Sequence, residues 1–445
     1  MHGGAPTARP ARLGVGGWGR SPHLKKSMAQ NALRTSMLIC ALAVLAFVSG
    51  CAEPPSLSRE ADLLILDARV VTATGEVLDG ASVVVSNGDI EDVVVGETVR
   101  IAETVIGGDG YTVVPGLIDT HVHLLMGSPT VDSDAAMDAY LDETLPALLD
   151  EYLATGFTTV LSNGDFWPVI ADVKARVNGG SLRGPRLFIL GPVFTAPGAH
   201  PVTTICADAP WCREHLVVEV DDEQQAREAV DQIAERGADG VKVIYDSGPN
   251  HPRLQPGLLR AIAVRASAHD LPVIVHTSTS DGVGDALGAG VARLAHSPLE
   301  RMPDELVTRA VVAGVPVAST IRSGPFWEEP EGPSFEDRKA NVRALLERGA
   351  RVAFGTDNTG DRPVGASLAA EIEALQEAGL SPEQVIVALT SDAADYLGQS
   401  DNLGTIEVGK RADLLIVEGD PVTDPAALRN VVAVVKDGVL IVDYR

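Results

Sequence analysis

The sequence predicts an α/β protein, a (β/α)8 TIM barrel carrying a small β-sandwich domain built from both ends of the chain. Three observations lead there. Between residues 113 and 400, eight short β-rich runs alternate with Ala- and Glu-rich helical stretches, the pattern of parallel strands joined by crossover helices. Val- and Ile-rich runs broken by Gly-containing turns fill 61–112, and the same texture returns in 401–445. Histidine, lysine and aspartate stand at the C-terminal ends of five of the eight central runs. A doubly wound sheet is the competing arrangement, but eight short strands without a glycine-rich dinucleotide fingerprint favour the barrel.

The first 50 residues are read as a leader outside the fold. They hold six basic residues (Arg9, Arg12, Arg20, Lys25, Lys26, Arg34) and no acidic one, and Met28 is an alternative start. Arg34 precedes an apolar run over 37–48, followed by Ser49-Gly50-Cys51. A basic flank, a short apolar stretch and small residues before a cut make an export signal, and the run is too short for a confident membrane span. Val-Ser-Gly-Cys also resembles a bacterial lipobox, which makes Cys51 the expected lipidation site and mature N-terminus. The expected location is therefore periplasmic or cell-surface, lipid-anchored, in the outer membrane if the cell is Gram-negative. Residues 51–60 are a polar, Pro-containing tether.

After the tether, strands are expected at 63–66, 69–72, 81–85 and 92–95, with partners at 412–417 and 431–442 from the other end of the chain. The barrel strands are expected at 113–123, 158–161, 186–190, 240–245, 272–276, 293–296, 316–321 and 352–356. Helices fall between them at 222–236, 258–269, 304–313 and 336–348, and one over 382–397 closes the segment. Cys206 and Cys212 bracket a short loop, and in an oxidising exported compartment they read as a disulfide.

In such barrels the reacting groups sit where strands end. Residues 115–123 read Pro-Gly-Leu-Ile-Asp-Thr-His-Val-His. Side chains alternate along a strand, so His121 and His123 face the same way, as two ligands of one metal or as a hydrogen-bonded pair. Lys242 lies on the fourth strand, His276 ends the fifth, His296 the sixth and Asp357 the eighth. Each has a structural explanation alone, but together they converge on one mouth.

The motif at 115–123, Gly355-Thr356-Asp357 and the stretch Gly-Thr-Ile-Glu-Val-Gly-Lys-Arg-Ala-Asp-Leu-Leu-Ile-Val at 404–417 together resemble the amidohydrolase superfamily of metal-dependent hydrolases, within it the imidazolonepropionase-like or prolidase-like group. The resemblance implies a one- or two-metal site, read here as two divalent metal ions, with zinc the default among zinc, manganese, cobalt and iron. His121, His123 and Asp357 would hold one ion, His276 and His296 the other, and Lys242, carboxylated by carbon dioxide, would bridge them. It further implies hydrolysis of an amide, peptide or cyclic amide bond by a metal-activated water, with Asp357 moving the proton and Tyr245 assisting the oxyanion. Tyr245 has odd spacing from Lys242, so it faces the site only if alternation ends there.

For substrate, His200 and Arg322 follow strands three and seven, and an arginine there suits a carboxylate. A dipeptide or an N-acyl amino acid is the expected small-molecule substrate. Phe166, Trp167 and Trp327 are candidates to wall an apolar pocket. Lactone or ester hydrolysis is the alternative on the same site, and a non-catalytic ligand-binding lipoprotein is the alternative from another class. The formal charge of −26 becomes −32 without the leader, which speaks against nucleic acid or a basic-patch membrane contact. Membrane contact is expected through the lipid anchor alone, and a homo-oligomer is left open.

Overall fold

The computed structural model describes residues 60–445 apart from 97, 99, 128–130, 208 and 247–251. The leader and Cys51 lie outside the described residues. Among those described, no helix is long and apolar enough to cross a membrane.

The strands fall into three sheets. Three parallel strands, Leu117–Val122, Phe157–Ser162 and Arg186–Ile189, form one. Seven more, also parallel, form the second: Val217–Glu219, Val193–Thr195, Val241–Ile244, Val273–His276, Arg293–Leu294, Val317–Ala318 and Val352–Ala353 in spatial order. All eight expected central strands are present in this TIM-barrel-type α/β fold. Val193–Thr195 and Val217–Glu219 are additions, too short to stand out by periodicity. The parallel ladder is not continuous, because the two parallel sheets are separate. They approach each other where Thr120 N donates to Phe354 O at 3.0 Å and His123 N to Asn358 O at 2.8 Å.

The third sheet is mixed and eight-stranded, and it joins both chain ends. Leu414–Glu418 from the C-terminal end pairs antiparallel with Tyr111–Pro115 from the N-terminal end. Side chains from both ends, Leu63, Val83, Leu414 and Ala433 among them, share one buried apolar cluster. The long strand Ala61–Val71 pairs with three neighbours at once.

The expected strand at 113–123 is in fact two, and the hand-off falls at Gly116. Tyr111–Pro115 belongs to the mixed sheet and Leu117–Val122 to a parallel one. A Cβ at Gly116 would come within 2.2 Å of Thr158 Oγ1, so only glycine lets the chain cross so close to its neighbour. The expected closing helix likewise divides into Pro382–Leu389 and Ser391–Leu397, broken at Thr390 with φ −132° and ψ −89°. The first two parallel strands are covered on both faces. All six residues of Leu117–Val122 and all six of Phe157–Ser162 are buried, as continuous apolar runs in a helix-wrapped sheet require.

Candidate active site

The end of the first parallel strand is tied to the end of the last by a buried carboxylate. Asp119 accepts hydrogen bonds from His121 N (3.0 Å), Thr356 N (3.1 Å) and Thr356 Oγ1 (2.6 Å). Burial pushes its carboxyl up to about 7 against those bonds. Asp357, next in the chain, takes a left-handed backbone (φ 55°), and its N–H donates to His121 O at 2.8 Å. Non-glycine residues adopt that conformation where the surroundings impose it, often at functional positions.

Both histidines of this strand have one nitrogen assigned by a carbonyl. Nδ1 of His121 donates to Ala295 O (2.8 Å), and Nδ1 of His123 donates to Gly164 O (2.6 Å). A carbonyl only accepts, so each Nδ1 carries the proton and each neutral ring presents a lone pair at Nε2. These lone pairs face one oxygen, Asp357 Oδ1, at 3.3 and 3.2 Å. Burial, then Lys242, holds the His121 ring well below its ordinary value. Two imidazole lone pairs and a carboxylate aimed at one another repel unless a cation lies among them. Their ligand atoms all lie within 4.8 Å of one another, and the carbonyls behind the rings orient the ligands, so this set fits a divalent metal.

Lys242 is buried on Val241–Ile244, with Nζ 3.4 Å from His121 Nε2. Burial lowers its ammonium to about 7, so a free amine is accessible near neutral pH. The His296 ring centroid lies 4.5 Å from that of His121 and 4.6 Å from that of His276. His296 is oriented by Thr320 Oγ1 at 2.8 Å, and Thr320 itself has φ 39°. His276 Nε2 lies 3.3 Å from Asp246 Oδ2, and Asp246 is anchored by Ser278 N (2.9 Å) and Oγ (2.7 Å). One cavity of about 290 Å³ is lined by His123, Lys242, His276, His296 and Asp357, with His121 sealed behind them.

Not every expected residue arrives there. His200 does: it lines the cavity, and its ring centroid is 5.6 Å from that of His276. Tyr245 does not. Its hydroxyl donates to Asp285 at 2.9 Å and Arg253 stacks over its ring, on the opposite side of the strand from Lys242, as alternation requires. Arg322 is also turned away, donating through Nη2 to Trp327 O at 3.0 Å. Phe326 lines the cavity where Trp327 was expected, and Arg362 stacks over Trp327. Neither Phe166 nor Trp167 lines the cavity. Phe166 packs against Trp211, and Trp167 against the backbone of Gly191. Cys206 and Cys212 are joined by a disulfide, between the lining residues Ile205 and Leu216.

Two groups escaped the sequence reading. Asp246 lies two residues beyond the fourth strand, and an acidic residue after a strand was a usable signal. Arg338, on helix Pro333–Glu347, lines the cavity from a helix interior, and no local pattern marks it.

Residues 112–441 match the Amidohydrolase family. The chain is 28% identical over 382 residues to an imidazolonepropionase of Geobacillus sp. (strain WCH70), covering 77% of this chain and 84% of that one. It is 28% identical over 443 residues to the imidazolonepropionase of Symbiobacterium thermophilum, covering 86% and 98%. Among solved structures, a Xaa-Pro dipeptidase with bound methionine in the active site superposes with a TM-score of 0.74 at 27% identity, covering 85% of this chain and 99% of that one.

Proposed function

Since this chain belongs to the amidohydrolase family, we propose that its cavity is a two-metal active site for hydrolysing the amide bond of a dipeptide or an N-acyl amino acid. The protein is a metal-dependent hydrolase acting on C–N bonds. The observation that carries the finer reading is the meeting of Lys242, His276 and His296 beside the His121–His123–Asp357 set.

In this reading His121, His123 and Asp357 would hold one divalent ion and His276 and His296 the other. The free amine of Lys242 would add to carbon dioxide with loss of a proton, and the carbamate would supply an anionic oxygen donor to the site. When bound, such a pair supplies a water acidic enough to ionise near neutral pH and positive charge for a developing oxyanion. Asp357 accepts the proton and returns it to the leaving amine. Asp246 orients His276, and Thr320 orients His296. His200, at the cavity wall, is placed to contact substrate. Zinc is the default ion. We also read the two parallel sheets as a closed barrel, supported by the Thr120–Phe354 and His123–Asn358 hydrogen bonds. Export and lipidation at Cys51 remain a proposal from sequence, and the Cys206–Cys212 disulfide suits an oxidising compartment.

The test is a metal and substrate titration. Protein refilled with zinc or manganese is expected to hold about two equivalents of metal and to cleave members of a panel of dipeptides and N-acetyl amino acids. Lys242→Ala is expected to lose about one equivalent and turnover. Two equivalents retained in Lys242→Ala would overturn the bridging role. Cleavage of lactones alone would move the assignment to ester chemistry.

A further inference from the structure

Arg338 is a buried guanidinium without an ion-pair partner among the described residues. Its side chain is 7% exposed, and it lines the same cavity as Lys242, His296 and Asp357. A buried guanidinium normally has a carboxylate beside it, because an uncompensated charge in a low-dielectric interior is costly. Among the described residues Arg338 forms no ion pair. Glu371, the nearby buried acid, is already engaged by Ile321 N (2.9 Å) and Arg322 N (2.8 Å). Desolvation accordingly lowers Arg338 to about 10, a shift Asp357 and Glu371 only partly offset.

The guanidinium is nevertheless held in place. Nη1 donates to Thr320 O and Ser323 Oγ, both at 2.8 Å, and Phe326 lies 5.2 Å from the guanidinium carbon. Thr320 is also the residue whose hydroxyl meets His296. One strained residue therefore sets both the histidine and the arginine. With Nη1 engaged, Nε and Nη2 remain. They lie along one edge of the fork, the edge that takes a carboxylate through two parallel hydrogen bonds. Nε is buried and has no hydrogen-bond partner in this structure. The cavity lining also includes the apolar side chains of Met126, Ile205, Leu216 and Leu299.

We infer that Arg338 is the substrate's carboxylate receptor: the substrate is an amide with a free carboxylate and an apolar body, and the carboxylate supplies the partner the chain withholds. This rests on the amide-hydrolase reading above and names the specificity residue of that site.

The experiment compares N-acetyl-L-amino acids of apolar side chain with their C-terminal amides, by steady-state kinetics and by calorimetric binding to the zinc-loaded protein. Wild type is expected to prefer the acids by about 100-fold or more in kcat/KM, and to bind them tighter by a similar factor. Arg338→Gln is expected to raise KM for acids at least about tenfold, with a smaller change in kcat, and to bring the acid-to-amide ratio of kcat/KM down toward one. Arg338→Lys is expected to restore part of the preference, since one charge remains without the fork. If Arg338 merely held Thr320 and Ser323, acids and amides would fall together and the acid-to-amide ratio would stay at its wild-type value, which overturns the inference. Equal binding of acids and amides by wild type also overturns it, and leaves the hydrolase reading standing if either is cleaved. If nothing is cleaved, the binding ratio still decides the role of Arg338, while the hydrolase reading fails by itself.

Discussion

Two half-buried or buried arginines at opposite ends of the parallel strands are treated in opposite ways. Arg186 opens the strand Arg186–Ile189, where the strands begin and the mixed sheet packs. Its Nη2 meets Asp413 at 3.0 Å and Asp437 at 2.7 Å. Asp437 also takes Arg411 at 2.7 Å, and Arg411 reaches Asp89 at 2.7 Å. The network links residues 89 to 437 across the seam, and it raises the Arg186 value although burial opposes this. Arg338, where the strands end, forms no ion pair among the described residues and is lowered instead, by burial that Asp357 and Glu371 only partly offset. The seam satisfies its own charges and so adds stability. The mouth leaves charges and lone pairs unmatched, so their stabilisation waits for metal and substrate. This matches the division of such barrels into a stabilising face and a reactive face.

Substitutions at the two ends should separate cleanly. Asp357→Asn is expected to lower kcat by about 10³-fold while keeping the metals and the denaturation midpoint, because asparagine tolerates the left-handed backbone at that position. Turnover like wild type would refute the proton role, and a large loss of stability would break the contrast between the ends.

Asp437→Asn is expected to do the reverse. It should cost about 2 kcal/mol in urea unfolding at pH 7, a buried-pair figure discounted for partial exposure, and leave kcat/KM unchanged. The pH dependence follows from its carboxyl. Burial would raise it, but the hydrogen bonds and charges of Arg186 and Arg411 outweigh this and hold it well below its ordinary range. Its stabilisation is therefore complete above the unfolded value of about 4 and is lost as pH falls below it. The gap between wild type and Asp437→Asn should shrink from about pH 4 downward. A gap that is constant down to pH 2 would show that the network does not act through charge.

The smallest effect is expected at the mouth's disulfide. Replacing Cys206 and Cys212 by serine removes a short covalent loop, worth about 1–2 kcal/mol. Because Ile205 and Leu216 line the cavity on either side, KM should rise a few-fold with kcat unchanged. Unchanged KM would place the bond with the seam, as a stabiliser only.

Residues whose placement follows from strand alternation were readable in advance, and residues placed by loops and distant contacts were not. His121, His123, Lys242, His276, His296 and Asp357 meet at one mouth because a side chain at or near a strand end inherits its direction from the strand. The same rule turned Tyr245 away. Arg322 was expected at the mouth because it follows strand seven at once, yet its backbone N–H is captured by Glu371, 49 residues later in the chain. That contact and the left-handed turn at Thr320 aim the loop so that Ser323 and Phe326, and with them Arg338 from the next helix, face the cavity.

By itself the sequence determined the parallel α/β arrangement, the ends at which chemistry gathers, and the ligand types standing there, since periodicity and strand direction are local properties. Tertiary structure decided the order of the strands in the sheet the two chain ends share, that the seam neutralises its arginine, and that the uncompensated arginine at the mouth is Arg338 and not Arg322. Those outcomes depend on which carboxylate comes within hydrogen-bond reach of which donor, and that is set by packing between segments far apart in the chain.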